Sequence, residues 1–78
     1  MTINWERVAG RADNLHAAQV AGYTLHAWDT GEWKLIRGAR MLTGSRHQVK
    51  AESLRGAQLR AQAALLATLT PGEIKSNP

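Results

Sequence analysis

Apolar and polar residues alternate through the middle of the chain, on both sides of an Asp-Thr-Gly sequence. Alternation around an Asp-x-Gly turn is a strong signal for a β-hairpin. A loop over 29–31 pairs Ala27 with Trp33 and gives Gly31 the left-handed conformation that such a loop needs. In this register one face of the hairpin is apolar and comprises Tyr23, Leu25, Ala27, Trp33 and Leu35. The other face comprises Thr24, His26, Trp28, Glu32, Lys34 and Ile36.

Extended segments are expected on both sides of this hairpin. A turn near Gly38 leads to a strand over 40–43 that ends at Gly44. Residues 15–20 have the composition of a further strand, with Gly22 as a bulge or a break. The pattern therefore predicts an antiparallel sheet of three to four strands.

The N-terminal segment over 2–8 can be interpreted in two ways. Ile3 and Trp5 alternate with polar residues as in a strand, whereas residues 5–9 could also form a helical turn. The sequence leaves both interpretations open.

A long helix is expected in the C-terminal part. Ser45 and Gln48 have the spacing of a capping box, with Ser45 as the N-cap. Strong helix formers continue to Leu69, and Pro71-Gly72 is a stop signal. At about 1.5 Å per residue the helix would be about 35 Å long, against about 27 Å for an eight-residue strand. Its last turns around Leu65, Leu66 and Leu69 should therefore project past the sheet.

The length of 78 residues allows one hydrophobic core. We expect a single α+β domain over 1–70, with the helix packed on one face of the sheet, and a flexible tail over 71–78. No cysteine is present, which excludes disulfides and thiolate metal sites. The N-terminus lacks a signal-peptide pattern and the longest apolar run, 63–67, is too short to span a bilayer. These features predict a cytoplasmic protein without membrane contact.

Residues that could support catalysis or metal binding are scattered. The three histidines are His16, His26 and His47, and none has a carboxylate or a second histidine at ligand spacing. The serines are Ser45, Ser53 and Ser76, which we assign to the helix cap, an exposed helix face and the tail. No paired carboxylates indicate acid–base chemistry. We therefore predict a binding module that is not an enzyme, with no catalytic residues, metal site or cofactor.

Basic residues are concentrated in one half of a chain with a formal charge of +4. Residues 34–60 contain seven basic residues and one acid, Glu52. This imbalance could indicate an anionic partner such as a nucleic acid, or it could reflect the arginine-rich usage of a GC-rich genome. Free N–H groups at the predicted helix start, together with nearby cations, favour an anion-binding site formed by Ser45, Arg46 and Lys50.

Trp28 lies on the polar face of the predicted hairpin, near its tip. Exposed tryptophans are favoured contact residues at protein interfaces. Alternatively, the N-terminal segment could fold over it, with Trp5 as the covering side chain. The partner-binding candidates are Trp28, Lys34, Arg37 and Arg40.

The predicted helix carries two apolar stripes about 100° apart. One stripe contains Leu54, Ala61 and Leu65, and the other contains Leu59, Leu66 and Leu69. A single sheet covers one stripe well, so the second is expected to bury against a second copy or under the N-terminal segment. The candidates for a homodimer interface are Leu59, Ala63, Leu66 and Leu69.

Four features follow one another along the chain in an order that is known from other proteins. They are Trp5, a Gly22-Tyr23-Thr24-Leu25 strand, an Asp29-Thr30-Gly31-Glu32-Trp33 turn and the stretch over 44–69. This pattern is similar to that of small orphan accessory proteins of actinobacterial phages. The resemblance implies a non-essential accessory protein that engages a host macromolecule. Trp28 and the second leucine stripe favour a host protein as the partner, and the alternative is nucleic-acid binding through the basic segment 34–60. The sheet-plus-helix plan also resembles the arm-type DNA-binding domains of phage integrases, which bind through basic residues on the open sheet face.

Overall fold

The computed structural model describes residues 3–46 and 48–75, with side chains described up to 69. The chain forms an antiparallel sheet followed by one helix, which confirms the α+β class. The described elements are β1 (Glu6–Arg7), β2 (His16–Val20), β3 (Tyr23–Ala27), β4 (Trp33–Arg37), β5 (Arg40–Gly44) and α1 (Leu54–Lys75). The strands lie side by side in chain order. The sheet has five strands and not the three to four expected, because the N-terminal segment adds β1 beside the predicted strand over 15–20.

The central hairpin has the register that the alternation predicts. Ala27 pairs with Trp33, and the Trp28 amide donates to the Glu32 carbonyl over 2.9 Å. Gly31 adopts a φ of 94°, which is costly for a residue with a side chain. All five residues of the predicted apolar face are buried.

The β2–β3 connection is a tight turn. Val20 pairs with Tyr23, so that only Ala21 and Gly22 connect the strands, with φ values of 51° and 84°. Two consecutive left-handed residues are typical of a type I′ turn, whose twist matches that of a hairpin. The expected bulge or break at Gly22 is therefore a hairpin turn.

The N-terminal segment forms a strand. Glu6 pairs with Ala17 and Arg7 with His16, which makes β1 an edge strand of two residues. The helical alternative for this segment is wrong, since the backbone over 3–8 contains no helix.

The β4–β5 hairpin contains an irregularity. Arg37 pairs with Arg40, as the predicted turn near Gly38 requires. The register then shifts between Leu35 and Ile36, which leaves Leu42 as the extra residue of a bulge.

The core lies between α1 and the middle of the sheet. The largest fully buried side chains are Trp33, Leu25, Leu35 and Leu65. Ala57 and Ala61 are also fully buried, and their small side chains allow the helix to lie close to β3 and β4. Burial of a leucine or tryptophan contributes roughly 2 kcal/mol or more, so this layer accounts for much of the stability.

Two tryptophan indoles tie other segments to this core. Trp33 Nε1 donates to the Val49 carbonyl over 3.0 Å, which anchors the loop between β5 and α1. Trp5 Nε1 donates to Gln62 Oε1 over 2.9 Å, which anchors the N-terminal segment to the helix.

The helix begins later than the sequence predicts. It starts at Leu54, and the Gly56 amide donates to Ser53 Oγ over 3.0 Å, which identifies Ser53 as the N-cap. The capping box at Ser45 is wrong because Ser45 extends the strand ladder. Its amide donates to the Trp33 carbonyl over 3.0 Å, and the Trp33 amide donates to its hydroxyl over 3.3 Å.

The loop before the helix packs directly on the central hairpin. The Ala51 amide donates to the Gly31 carbonyl over 3.0 Å, and Ala51 is buried. A Cβ on Gly31 would lie 1.8 Å from the Ala51 carbonyl oxygen. Gly31 is therefore required both by the turn and by this contact.

The helix also ends later than expected. Its backbone continues through Pro71 and Gly72 to Lys75. A proline inside a helix removes one backbone hydrogen bond and bends the helix, and it need not end it. Residues 76–78 of the predicted tail lie outside the described residues. Within the described part of the chain, no helix combines the length and the apolar character needed to cross a membrane.

Candidate functional site

One face of the sheet carries the helix, and the opposite face has no helix packed on it in the described residues. We call this opposite side the open face. By strand register it displays Ala17, Gln19, Thr24, His26, Trp28, Lys34, Ile36 and Met41. The side chains range from half-buried to exposed, and aromatic, aliphatic and charged groups lie next to one another.

Trp28 is the largest side chain of the open face and its indole is held on three sides. Its Nε1 donates to Asp13 Oδ2 over 3.1 Å. The His26 ring meets it edge-on, with centroids 5.8 Å apart and planes at 86°. The Lys34 Nζ lies 5.6 Å from the indole centroid, within the range of a cation–π contact. These contacts restrict the rotamers of Trp28 before any partner binds.

Asp13 is itself positioned by Arg11. Arg11 Nε donates to Asp13 Oδ1 over 2.9 Å and Arg11 Nη2 donates to Oδ2 over 2.7 Å, a bidentate pair. Hydrogen bonds from Arg11 are the main cause that holds the pKa of Asp13 well below its usual range, and the bond from Trp28 adds to this effect. Asp13 therefore presents a fixed negative charge to the indole at neutral pH.

The loop that carries Asp13 is fastened to the strand ends by Asn14. Asn14 adopts a φ of 53°, which asparagine tolerates better than most residues. Its Nδ2 donates to Asp29 Oδ2 over 2.9 Å, and its Oδ1 accepts from Arg7 Nη2 over 3.0 Å. This network joins β1, the loop and the β3–β4 turn.

A cleft of about 580 Å³ opens beside Trp28. Its lining includes Asp13, Asn14, Trp28, Asp29, Glu32, Lys34 and Arg46. Each of its three carboxylates accepts a hydrogen bond from the chain itself, from Arg11, Asn14 and Thr30 respectively. By contrast, Lys34 and Arg46 make no salt bridge within the described residues. The cleft therefore offers two cations and an aromatic surface to a ligand.

Burial holds the pKa of His26 below its ordinary value, and the nearby charges of Lys34 and Arg11 lower it further. The imidazole is therefore neutral at physiological pH. In this state it contributes an aromatic edge to the Trp28 contact.

The predicted partner-binding residues do not form one surface. Trp28 and Lys34 lie together on the open face. Arg37 lies over the Tyr23 ring, 5.4 Å from its centroid, on the side of the sheet that the helix covers. Arg40 pairs with Arg37 at the β4–β5 turn. Only the first two candidates can therefore contact one ligand on the open face.

The N-terminal region does reach Trp28, but not through Trp5 as the alternative proposed. Trp5 lies on the helix side, bonded to Gln62. The residue that contacts the Trp28 indole is Asp13. Alternation already placed His26 and Ile36 on the open face, whereas the Asp13 contact has no periodic signal in the sequence.

The anion site predicted at Ser45, Arg46 and Lys50 loses its structural basis. It required a helix N-terminus after Ser45, and the helix begins at Leu54. Ser45 is bonded to Trp33, while Arg46 and Lys50 are exposed in the connecting loop.

The dimer-interface candidates separate into two groups. Leu59 and Leu66 are 47% and 51% exposed, and Ala63 is exposed between them. Leu69 is half-buried and packs against the core. Leu65, which was expected to project past the sheet, is fully buried.

The described residues contain no cluster of three or more His, Asp or Glu side chains that could hold a metal ion. No family model, curated protein or solved structure matches this chain. The site is therefore interpreted from its own geometry.

Proposed function

We propose that this chain is a non-enzymatic accessory protein that binds another protein through the open face, with Trp28 as the central contact. The observation that carries the proposal is an indole fixed by Asp13, His26 and Lys34 on a sheet face that no helix of the described residues covers. The resemblance to actinobacterial phage accessory proteins suggests a host protein as the partner.

Pre-positioning of Trp28 favours its use as a binding anchor. Ordering a flexible side chain on binding costs roughly 0.5–1.5 kcal/mol, and a side chain that is already ordered avoids much of this cost. Tryptophan is also enriched among the few residues that dominate the energy of protein interfaces. Asp13 and Lys34 form a polar rim beside it, as interfaces commonly have.

The charges of the cleft indicate the chemistry of the partner. Its carboxylates are engaged within the chain, whereas Lys34 and Arg46 have no acidic partner among the described residues. A partner segment with an apolar side chain for Trp28 and a carboxylate for Lys34 would complement this site.

A protein partner is favoured over nucleic acid by the distribution of charge. A protein that binds the phosphates of a duplex or a single strand needs several cations along one surface. The basic residues are instead divided between the cleft at Lys34 and Arg46, the helix side of the sheet at Arg37, and the helix at Arg55 and Arg60.

The test is affinity capture from a nuclease-treated actinobacterial lysate with matched variants. The wild-type chain and Lys50→Glu should capture the same protein, because Lys50 is exposed and does not line the cleft. Trp28→Ala and Lys34→Glu should each lose it. The two glutamate variants make the same change in charge, so a difference between them reports on position.

Gel-shift assays at two salt concentrations provide the alternative outcome. Binding to nucleic acid that weakens steeply with salt, together with no protein whose capture depends on Trp28, would overturn the proposal. Retention of the captured protein by both Trp28→Ala and Lys34→Glu would place the interface elsewhere.

A further inference from the structure

The solvent side of α1 carries an apolar row that the other described residues leave exposed. It consists of Leu59, Ala63 and Leu66, which we call the outer seam. Spacings of four and three residues place these side chains above one another on one side of a helix. The two leucines are 47% and 51% exposed, although the helix buries Leu65 completely on its other side.

The outer seam continues into a groove between the helix and the edge of the sheet. This groove measures about 290 Å³, and the helix contributes Arg60, Ala63 and Ala67 to it. Thr43 and Gln48 line the opposite wall. The small alanines leave room for the side chains of a second helix packed along α1.

Two arginines border the seam. By helical spacing Arg55 lies one turn before Leu59, at the N-terminal end of the row, and Arg60 lies beside the row on the side of the groove. Both are exposed, and neither forms a salt bridge within the described residues. An apolar row bordered by cations is complementary to an amphipathic helix whose apolar stripe is bordered by carboxylates.

We propose that the outer seam is a docking surface for an acidic amphipathic helix of another protein. A second copy fits less well, because it would bring one arginine-bordered seam against another in a chain with a formal charge of +4. The seam lies on the opposite side of the molecule from the open face, so this inference stands apart from the function proposed for Trp28.

Two synthetic helical peptides provide the test. Both carry leucine and alanine at heptad core positions, and they differ only in having glutamate or lysine at the flanking positions. Binding of each labelled peptide to the full chain is measured by fluorescence anisotropy at low salt. The glutamate peptide should bind at least tenfold more tightly than the lysine peptide.

Variants of the chain identify the surface that is used. Leu66→Asp should weaken binding of the glutamate peptide at least tenfold, whereas Val49→Asp, at an exposed apolar residue outside the seam, should not change it. The double variant Arg55→Glu/Arg60→Glu should reverse the preference to the lysine peptide. This double variant keeps both seam leucines and alters only exposed side chains, so the test remains valid even where Leu66→Asp fails to fold. Trp28→Ala should leave peptide binding unchanged.

Three results would overturn the proposal. One is equal binding of both peptides to the wild-type chain. Another is a peptide preference that survives the double charge reversal. The third is a dimer in sedimentation that Leu66→Asp dissociates, which would identify a second copy as the occupant.

Discussion

Replacement of Gly31 by alanine should destabilise the fold strongly, because two independent constraints meet at this residue. Its φ of 94° is in a region where a residue with a side chain is strained by roughly 1–3 kcal/mol. The new Cβ would also lie 1.8 Å from the Ala51 carbonyl oxygen, so the loop before α1 would have to move away. That movement would break the hydrogen bond from Ala51 to Gly31, worth about 1 kcal/mol, and would expose the buried Ala51.

The structure also supplies the control, Gly22→Ala. Gly22 has a similar φ of 84°, but a Cβ there would meet no atom within 4 Å. We therefore expect a loss of roughly 1–3 kcal/mol for Gly22→Ala and a loss larger by at least ~1 kcal/mol for Gly31→Ala, from a total that is typically about 5–15 kcal/mol. Urea unfolding followed by tryptophan fluorescence measures both. Equal losses for the two variants would refute the packing of the loop on the hairpin.

Three further changes test other parts of the structure. Ser53→Ala should cost about 1 kcal/mol in urea unfolding, because it removes the acceptor of the Gly56 amide, and an unchanged midpoint would contradict the assigned N-cap. Gln62→Ala should free the Trp5 indole, which would be seen as increased quenching of tryptophan fluorescence by acrylamide relative to wild type. The folded state lowers the pKa of His26 below the ordinary value of 6.5. The contribution of the neutral His26 to the free energy of unfolding is therefore fully present above that pH and is lost as the pH falls through the lowered pKa. His26→Gln should therefore reduce the loss of stability between neutral and mildly acidic pH, and an unchanged pH profile would contradict the burial of this imidazole.

The sequence predicts the central hairpin correctly because the alternation of apolar residues and their burial require the same strand register. A register shifted by one residue would have placed Lys34 among the buried side chains of Leu25 and Ala27. The apolar face is therefore determined by local pattern alone.

Other elements escape prediction because their cause lies outside the local sequence. Ala21 is an unusual residue for a left-handed turn position, so the short β2–β3 hairpin has no Asn-Gly or Gly-Gly signal. The local pattern favours Ser45 as the helix cap and places Ser53 on an exposed helix face, but hydrogen bonds between Ser45 and Trp33, which is 12 residues away, hold Ser45 beside the strands and leave the cap to Ser53. Helix propensity depends on the residue type alone and therefore cannot indicate such a tertiary contact.

The candidate site was predictable in part. Alternation placed Trp28 and Lys34 on the outer face of the hairpin, and the structure brings them within 5.6 Å. The sequence could not indicate that Asp13 would reach the indole from a loop 15 residues earlier. It also grouped Arg37 with this surface, although the register places it on the helix side.

Site-specific photo-crosslinking from the open face tests the central claim most directly. A photoreactive amino acid replaces Ile36 on the open face, or Glu52, an exposed residue in the loop before the helix, as the control. In an actinobacterial lysate the position 36 probe should give a discrete protein adduct that the position 52 probe does not give. Adding Trp28→Ala to the position 36 probe should remove that adduct. The same adducts from both positions, or adducts that consist of nucleic acid, would contradict the assignment of the open face as a protein-binding surface.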